Sequence, residues 1–292
     1  MQEKYCFIVP QNLEAATCIL LFKWLTGKGN VSTIVLNENN LHNDIKKYSF
    51  DDFKFVYVIG FYNLKNLDKE FDSKKFIYVN KKLFAENLVN SRIITGENTT
   101  VDLFYNFLTK YSENKLNSNQ HVLYTSVSKY FNYNFDSDLL PLKLFYFFKT
   151  QQSINKVESF VKRFESGLIM FTETENSSLN IILRDLTNTL KSLKTYKGEI
   201  TYKNKKYSVC SCFGSKYVNE ISHRIQKTSK CDITFIINLE KNTVHYRKNK
   251  ECNVDLGELV KEAFEGFGTE FAAFSSLNSR VLEVTKSFFP VC

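Results

Sequence analysis

In the stretch "FIYVNKKL", three polar residues, Asn80, Lys81 and Lys82, follow directly on four apolar or aromatic ones. Ligands of open α/β sheets sit beyond the carboxyl ends of the strands, so this triplet occupies a place where chemistry is done. It contains no nucleophile, general base or metal ligand. Two adjacent ammonium groups suit an anion such as a phosphate; they read equally well as a solvated charge pair. A second chemical signal lies far downstream in "EGFGTEFAAF", where Gly266 and Gly268 precede Ala272 and Ala273. Glycines let backbone N–H groups turn toward a phosphate, and alanines allow close packing behind such a loop. Arg247, in "TVHYRK", could grip the same phosphate bidentately. His42, His121, His223 and His245 show no metal-ligand spacing, and neither do the seven scattered cysteines. Cys210 and Cys212 would share one face of a strand, too lone a pair for a zinc site.

The elements that must position these groups follow from hydrophobic periodicity. Continuous apolar runs at Tyr5–Val9, Val31–Leu36, Phe55–Ile59 and Phe76–Val79 read as strands buried on both faces of a parallel sheet. A helix over Leu13–Leu25 follows the first strand, and another is expected over Thr99–Leu108. His121–Val127 fits either a buried strand or a helix. From Leu139 to Leu193 the spacing is helical. Near Gly198 it changes to alternation, with a hairpin turning at Lys203-Asn204, then a helix over Tyr217–Gln226, strands at Ile233–Ile237 and Thr243–Arg247, and a helix capped by Asp255. The expected architecture is α/β in two domains. Residues 1–135 form a mostly parallel sheet with helices on both faces, 136–195 a helical connector, and 196–292 a smaller mixed α/β domain.

Composition is compatible with ample cores: of 292 residues, 43% are hydrophobic and 15% aromatic. The net charge of +8 favours anionic partners without selecting among them. The odd cysteine count and lack of CxxC pairs point to a reducing, intracellular compartment, cytoplasm or organelle. No apolar run approaches the ~18 residues of a membrane span, so no membrane insertion is expected.

The closing segment "VDLGELVKEAFEGFGTEFAAF" resembles the end of the DHH-associated domain, the C-terminal half of DHH-family phosphoesterases. That motif is a V-D-[VL]-[GS]-E-[LI] helix followed by G-G-G-H-x-x-A-A-G. Gly266, Gly268, Ala272 and Ala273 match it; Phe267 replaces a glycine, Thr269 the histidine and Phe274 the last glycine. Arg247 stands in the arginine position of the preceding strand. The resemblance implies that residues 1–135 correspond to a DHH domain, whose active members bind two divalent metals, usually manganese, through a D-x-D, a central Asp, the Asp-His-His and a later Asp. Such hard cations require oxygen ligands and activate water. Here those positions read Asn12 and Glu14, Gly60, Asn80-Lys81-Lys82 and Tyr130.

The resemblance therefore implies a catalytically inactive relative, retained as a binding or structural component. Phosphate or nucleotide contacts would fall to Arg247, Gly266, Gly268, Thr269, Lys81 and Lys82, in a cleft between the two domains. No cofactor is expected. The partners implied are a nucleotide, a single-stranded nucleic acid, a larger assembly or a second copy. The alternative is an active phosphodiesterase or exonuclease on oligonucleotides or cyclic dinucleotides, with a displaced manganese or magnesium site.

Overall fold

A computed structural model describes residues 3–62, 64, 67–81 and 88–286. Lys82 lies outside the described residues. The chain divides into two compact units, Met1–Ile181 and Ile182–Cys292.

Unit 1 is built on five strands: β1 (Tyr5–Val9), β2 (Val31–Val35), β3 (Phe55–Ile59), β4 (Phe76–Val79) and β5 (Arg92–Ile94). They pair in the order β2-β1-β3-β4-β5, all parallel. Burial on both faces explains the continuous apolar runs. Phe7, Val9, Tyr57, Ile59, Ile77 and Val79 face one core; Cys6, Ile8, Val56, Val58, Phe76 and Tyr78 face the other. The first core is covered by α1 (Leu13–Thr26), which is buried on nearly all sides, and by α3 (Thr100–Thr109) and α4 (Ser118–Phe131). The second is closed by a short helix α2 (Leu41–Asp44) and loop residues such as Phe50, Leu64 and Phe71.

The ambiguous segment His121–Val127 is the middle of α4. A capping box decides it: Asn117 Oδ1 accepts from the Gln120 amide and Gln120 Oε1 from the Asn117 amide, both at 3.0 Å. In the region expected to connect the domains, α5 (Leu140–Thr150) and α6 (Lys156–Arg163) join unit 1, where Leu144, Phe148, Val157 and Phe160 are part of its first core. A long helix, α7 (Glu173–Ser192), runs on into the second unit. None of the described helices is long and apolar enough to cross a membrane.

Unit 2 has a six-stranded mixed sheet of β6 (Tyr196–Tyr202), β7 (Lys205–Phe213), β8 (Ile233–Asn238), β9 (Thr243–Lys248), β10 (Phe267–Gly268) and β11 (Ala272–Ser276), in the order β10-β11-β9-β8-β7-β6. The β6–β7 hairpin turns at Lys203 and Asn204, both at positive φ, as a two-residue turn matching strand twist requires. Only β7 and β8 are parallel, and α8 (Val218–Ser229) provides their crossover. It covers Cys210, Cys212 and Ile236 on one face. The opposite face packs on α9 (Leu256–Phe264), capped by the Asp255 side chain at the Glu258 amide, and on Val281 of α10 (Ser279–Lys286).

The glycine-alanine segment, read from the sequence as a loop turned toward a phosphate, is the β10–β11 hairpin. Its glycines are there for backbone approach. A Cβ on Gly268 would stand 2.3 Å from Ala273 Cα and 2.4 Å from the Ala272 carbonyl oxygen. Gly268→Ala is therefore expected to destabilise unit 2 by about 1–3 kcal/mol, the usual range for forced overpacking. Gly29→Ala, where a Cβ meets nothing within 4 Å, should leave stability within a few tenths of a kcal/mol or raise it slightly. Urea unfolding of the two variants measures the contrast.

Candidate functional site

The strand order places the reversal of connection between β1 and β3, and a doubly wound sheet holds its ligands beyond the carboxyl ends of those strands. Asn12, Glu14, Gly60 and Asn80 do come to this edge. Asn12 caps α1, its Oδ1 accepting from the Ala15 amide at 2.8 Å. Gly60 follows β3 at φ +86°, and a Cβ there would lie 3.2 Å from Pro10 Cγ and 3.6 Å from Asn12 Nδ2. Any side chain, a carboxylate included, is disfavoured at Gly60 by both backbone strain and crowding.

Asn80, 1% exposed, ends β4. Its Oδ1 accepts from the Lys81 amide at 2.8 Å and from Thr100 Oγ1 at 3.0 Å. The backbone donor fixes the amide's orientation, so Nδ2 points its hydrogens elsewhere. That nitrogen is buried and has no hydrogen-bond partner among the described residues. Glu14, half-buried on the first turn of α1, accepts from the amides of Thr100 (3.1 Å) and Val101 at the start of α3. Burial pushes its carboxyl up to about 7, although those amides and the Lys81 charge pull the other way; the Asp102 charge adds to the rise. The Lys81 carbonyl is held by Thr95 Oγ1 at 3.0 Å.

Asp102 and Thr100 are functional candidates that sequence reasoning passed over. Asp102 accepts from Thr99 Oγ1 (2.7 Å), Tyr124 OH (2.8 Å) and Ser128 Oγ (2.8 Å). Neutral donors thus satisfy it. The pattern Thr99-x-x-Asp102, a capping signature, was the available signal. Tyr130, on α4, is stacked between Phe145 (ring centroids 4.1 Å apart) and Phe135 (5.6 Å).

In unit 2 the register aligns Ala272, Arg247 and Thr234 in one row of the sheet, and Phe274, His245 and Ile236 two residues along, on the same face. Arg247 donates to the Tyr246 carbonyl (2.9 Å) and to Asn219 Oδ1 (3.1 Å). Phe267 is 61% exposed and packs edge-on to Phe274, giving an aromatic ledge beside His245. Burial first, then the Arg247 and Lys241 charges, lower the pKa of His245 and favour its neutral form. The amides of Gly266 and Thr269 donate to the carbonyls of Val260 (3.0 Å) and Ala272 (2.7 Å), so both are used within the unit's own backbone. Thr269 Oγ1 also contacts the Ala272 carbonyl at 3.3 Å.

No family model matches the chain, and no curated protein matches it in sequence. Solved structures do. A pGpG-specific phosphodiesterase, PggH from Vibrio cholerae, aligns over 97% of both chains with a TM-score of 0.58 at 10% identity. Exonuclease RecJ bound to manganese aligns at a TM-score of 0.50 and 8% identity, over 98% of this chain and 89% of its own. RecJ from Thermus thermophilus, in complex with Mn2+, gives 0.50 and 10%, with 98% of this chain covering 51% of that one. The fold is that of the DHH phosphoesterases. At such identities the likeness carries the fold alone.

Two neighbours of this fold are bound to manganese, which calls for a test of the donor set here. Among the described residues, no group of three or more His, Cys, Asp or Glu is placed to hold a metal ion. The strand-end positions supply an amide already capping a helix, a carboxyl bound to two backbone amides, a glycine, a buried N–H donor and an ammonium group. A cation beside such a set meets one carboxyl and repulsion from Lys81, so the residues do not fit a divalent pair.

The raised pKa of Glu14 has a measurable sign. A carboxyl whose folded pKa of about 7 exceeds its ordinary 4.5 contributes stability in full below about pH 4.5 and loses it as pH rises through 7. Glu14→Gln cannot ionise, so the wild type should lose melting temperature relative to this variant between pH 4.5 and 7.5. Paired thermal melts across that range check it; parallel pH profiles would refute the assignment.

Proposed function

We propose that this DHH-fold chain binds a short nucleotide through its phosphate at the carboxyl edge of the unit 1 sheet and does not hydrolyse it. The observation that carries the reading is the donor set at that edge. Where the family resemblance implies carboxylates and imidazoles, Gly60 offers no side chain, Asn80 presents a buried N–H with no partner among the described residues, and Lys81 brings positive charge. Those groups complement an anion. An unsatisfied buried donor costs about 1–3 kcal/mol, and an acceptor arriving with a ligand would relieve it. Glu14, with its pKa near neutrality, only partly offsets the Lys81 charge.

The nucleotide class is supported by two further facts. The PggH neighbour is named for pGpG, a short guanine dinucleotide. In unit 2, Arg247 lies beside the exposed ledge of Phe267 and Phe274, a pairing suited to a phosphate and a base. Gly266, Gly268 and Thr269 would then shape the hairpin carrying that ledge. Neither manganese nor magnesium has a role in this reading.

Calorimetric titration of the full chain with pGpG tests it, alongside chromatography for cleavage products with manganese present. Binding should weaken steeply with salt. Lys81→Gln should cut affinity about tenfold, the equivalent of one charge-assisted hydrogen bond of roughly 1.5 kcal/mol. No product should accumulate. Manganese-dependent turnover that disappears in Glu14→Gln or Asp102→Asn would instead establish an enzyme with a rearranged metal site.

A further inference from the structure

Unit 1 has a second concave site, at the opposite, amino edge of its parallel sheet. A cavity of about 620 Å³ opens there between the first residues of the strands and the C-terminal ends of α1 and α3. That volume falls within the range of small-molecule sites, roughly 300–1,000 Å³. Its lining is of two kinds. Aromatic rings of Phe55, Tyr57, Phe107 and Tyr111 form the apolar part. Lys28, Lys54, Lys74 and Arg92 supply four positive charges.

The charges are cancelled only in part among the described residues. Glu3 pairs with both Lys28 (2.7 Å) and Lys54, and those ammonium groups hold its carboxyl down at about 2, so it stays ionised. Glu113 is the other carboxylate at the site. Four cations against two carboxylates leave a positive surplus. Arg92 is exposed and prearranged: its guanidinium stacks 4.6 Å from the Phe107 ring centroid and 5.1 Å from that of Tyr111, while Nη2 donates to Tyr111 OH at 2.6 Å. A planar guanidinium fixed on two rings keeps its other N–H donors in a set direction, suited to a phosphate fork. Lys74 is exposed on the same rim.

Helix C-termini would ordinarily repel an anion. Here the α1 end is screened, because the Leu25 carbonyl accepts from both Ser112 Oγ and Asn114 Nδ2. Among the lining rings, Tyr111 is 66% exposed and Phe55 half-buried, so both leave surface for a planar base. We infer that this amino-edge pocket binds a free 5′-mononucleotide, its base against Phe55 and Tyr111 and its phosphate between Arg92 and Lys74. The site is distinct from the carboxyl-edge site of the proposed function.

The probes are 5′-AMP and adenosine, titrated calorimetrically against the full chain, with hydrogen-exchange mass spectrometry to locate the ligand. Expected results are slowed exchange in residues 105–114 with 5′-AMP and at least tenfold weaker binding of adenosine. Arg92→Gln and Lys74→Gln should each lower 5′-AMP affinity fivefold or more. Lys74→Gln, at an exposed position, should do so at unchanged melting temperature, which separates ligand loss from misfolding. Protection confined to residues 79–81 and 96–101, equal affinity in wild type and both variants, or no binding of 5′-AMP at millimolar concentration would overturn the inference. Lys81→Gln should leave the protection at 105–114 intact, so the two sites fail independently.

Discussion

A helix N-terminus exposes amides that its own turns cannot satisfy, and in this chain the one beginning α3 is satisfied by a carboxyl from another helix. Glu14 takes the Thr100 and Val101 amides, and Thr100 in turn bonds Asn80 at the end of β4. This three-point link joins α1, β4 and α3, elements far apart in sequence, at the edge where a doubly wound sheet holds ligands. A carboxylate at a helix N-terminus is favourable by the helix dipole as well. The Glu14 carboxyl is therefore engaged in holding the fold, and its neighbours are tightly placed around it. Gly60 tolerates the close passage of Pro10 and Asn12, and Asn80 divides its oxygen between Lys81 and Thr100.

The same constraint explains the electrostatics. A carboxyl withdrawn from water rises in pKa unless a full charge compensates it, and here the compensation is two backbone amides with help from Lys81. Asp102, close enough to act on Glu14, accepts from the hydroxyls of Thr99, Tyr124 and Ser128. The raised Glu14 carboxyl makes this an edge able to exchange protons near neutrality. Such an edge is a poor host for two divalent ions.

The sequence exposed the frame where local chemistry determined it. β1, β3 and β4 were legible because strands buried on both faces must be apolar throughout. The hairpin at Lys203-Asn204 and the Asp255 cap were legible for equally local reasons. β5 was not: three residues, two of them exposed, become a strand only by bonding to β4. The glycine-alanine segment hid β10 and β11 because glycine signals a turn, whereas here it serves close approach between strands. Of the candidate site, Asn12, Glu14, Gly60 and Asn80 lie at the carboxyl edge of the sheet, but their bonds were invisible in the sequence. Thr100 meets Glu14 across 86 residues of chain, a contact that no spacing rule encodes. For Gly266 and Thr269, motif reasoning aimed the amides at a ligand, while the Gly266 amide bonds the Val260 carbonyl of α9 and the Thr269 amide bonds Ala272 within the hairpin.

α1 and α3 are fixed at both ends by opposite means, and this sets the character of the two edges. At their N-terminal ends the link runs through a carboxyl accepting amide hydrogens. At their C-terminal ends Ser112 and Asn114, just beyond α3, donate to the Leu25 carbonyl of α1. Between the two links Phe22, Phe104, Phe7 and Tyr57 interlock, with ring centroids 4.9–6.1 Å apart. Each link satisfies the partial charge that the helix end presents, positive at one edge and negative at the other. With the helix ends already satisfied, the charge each edge offers to a ligand comes from side chains: Lys81 at the carboxyl edge, and Arg92 and the lysines at the amino edge. Both edges therefore present positive side chains, although the backbone dipoles alone would have made them opposite.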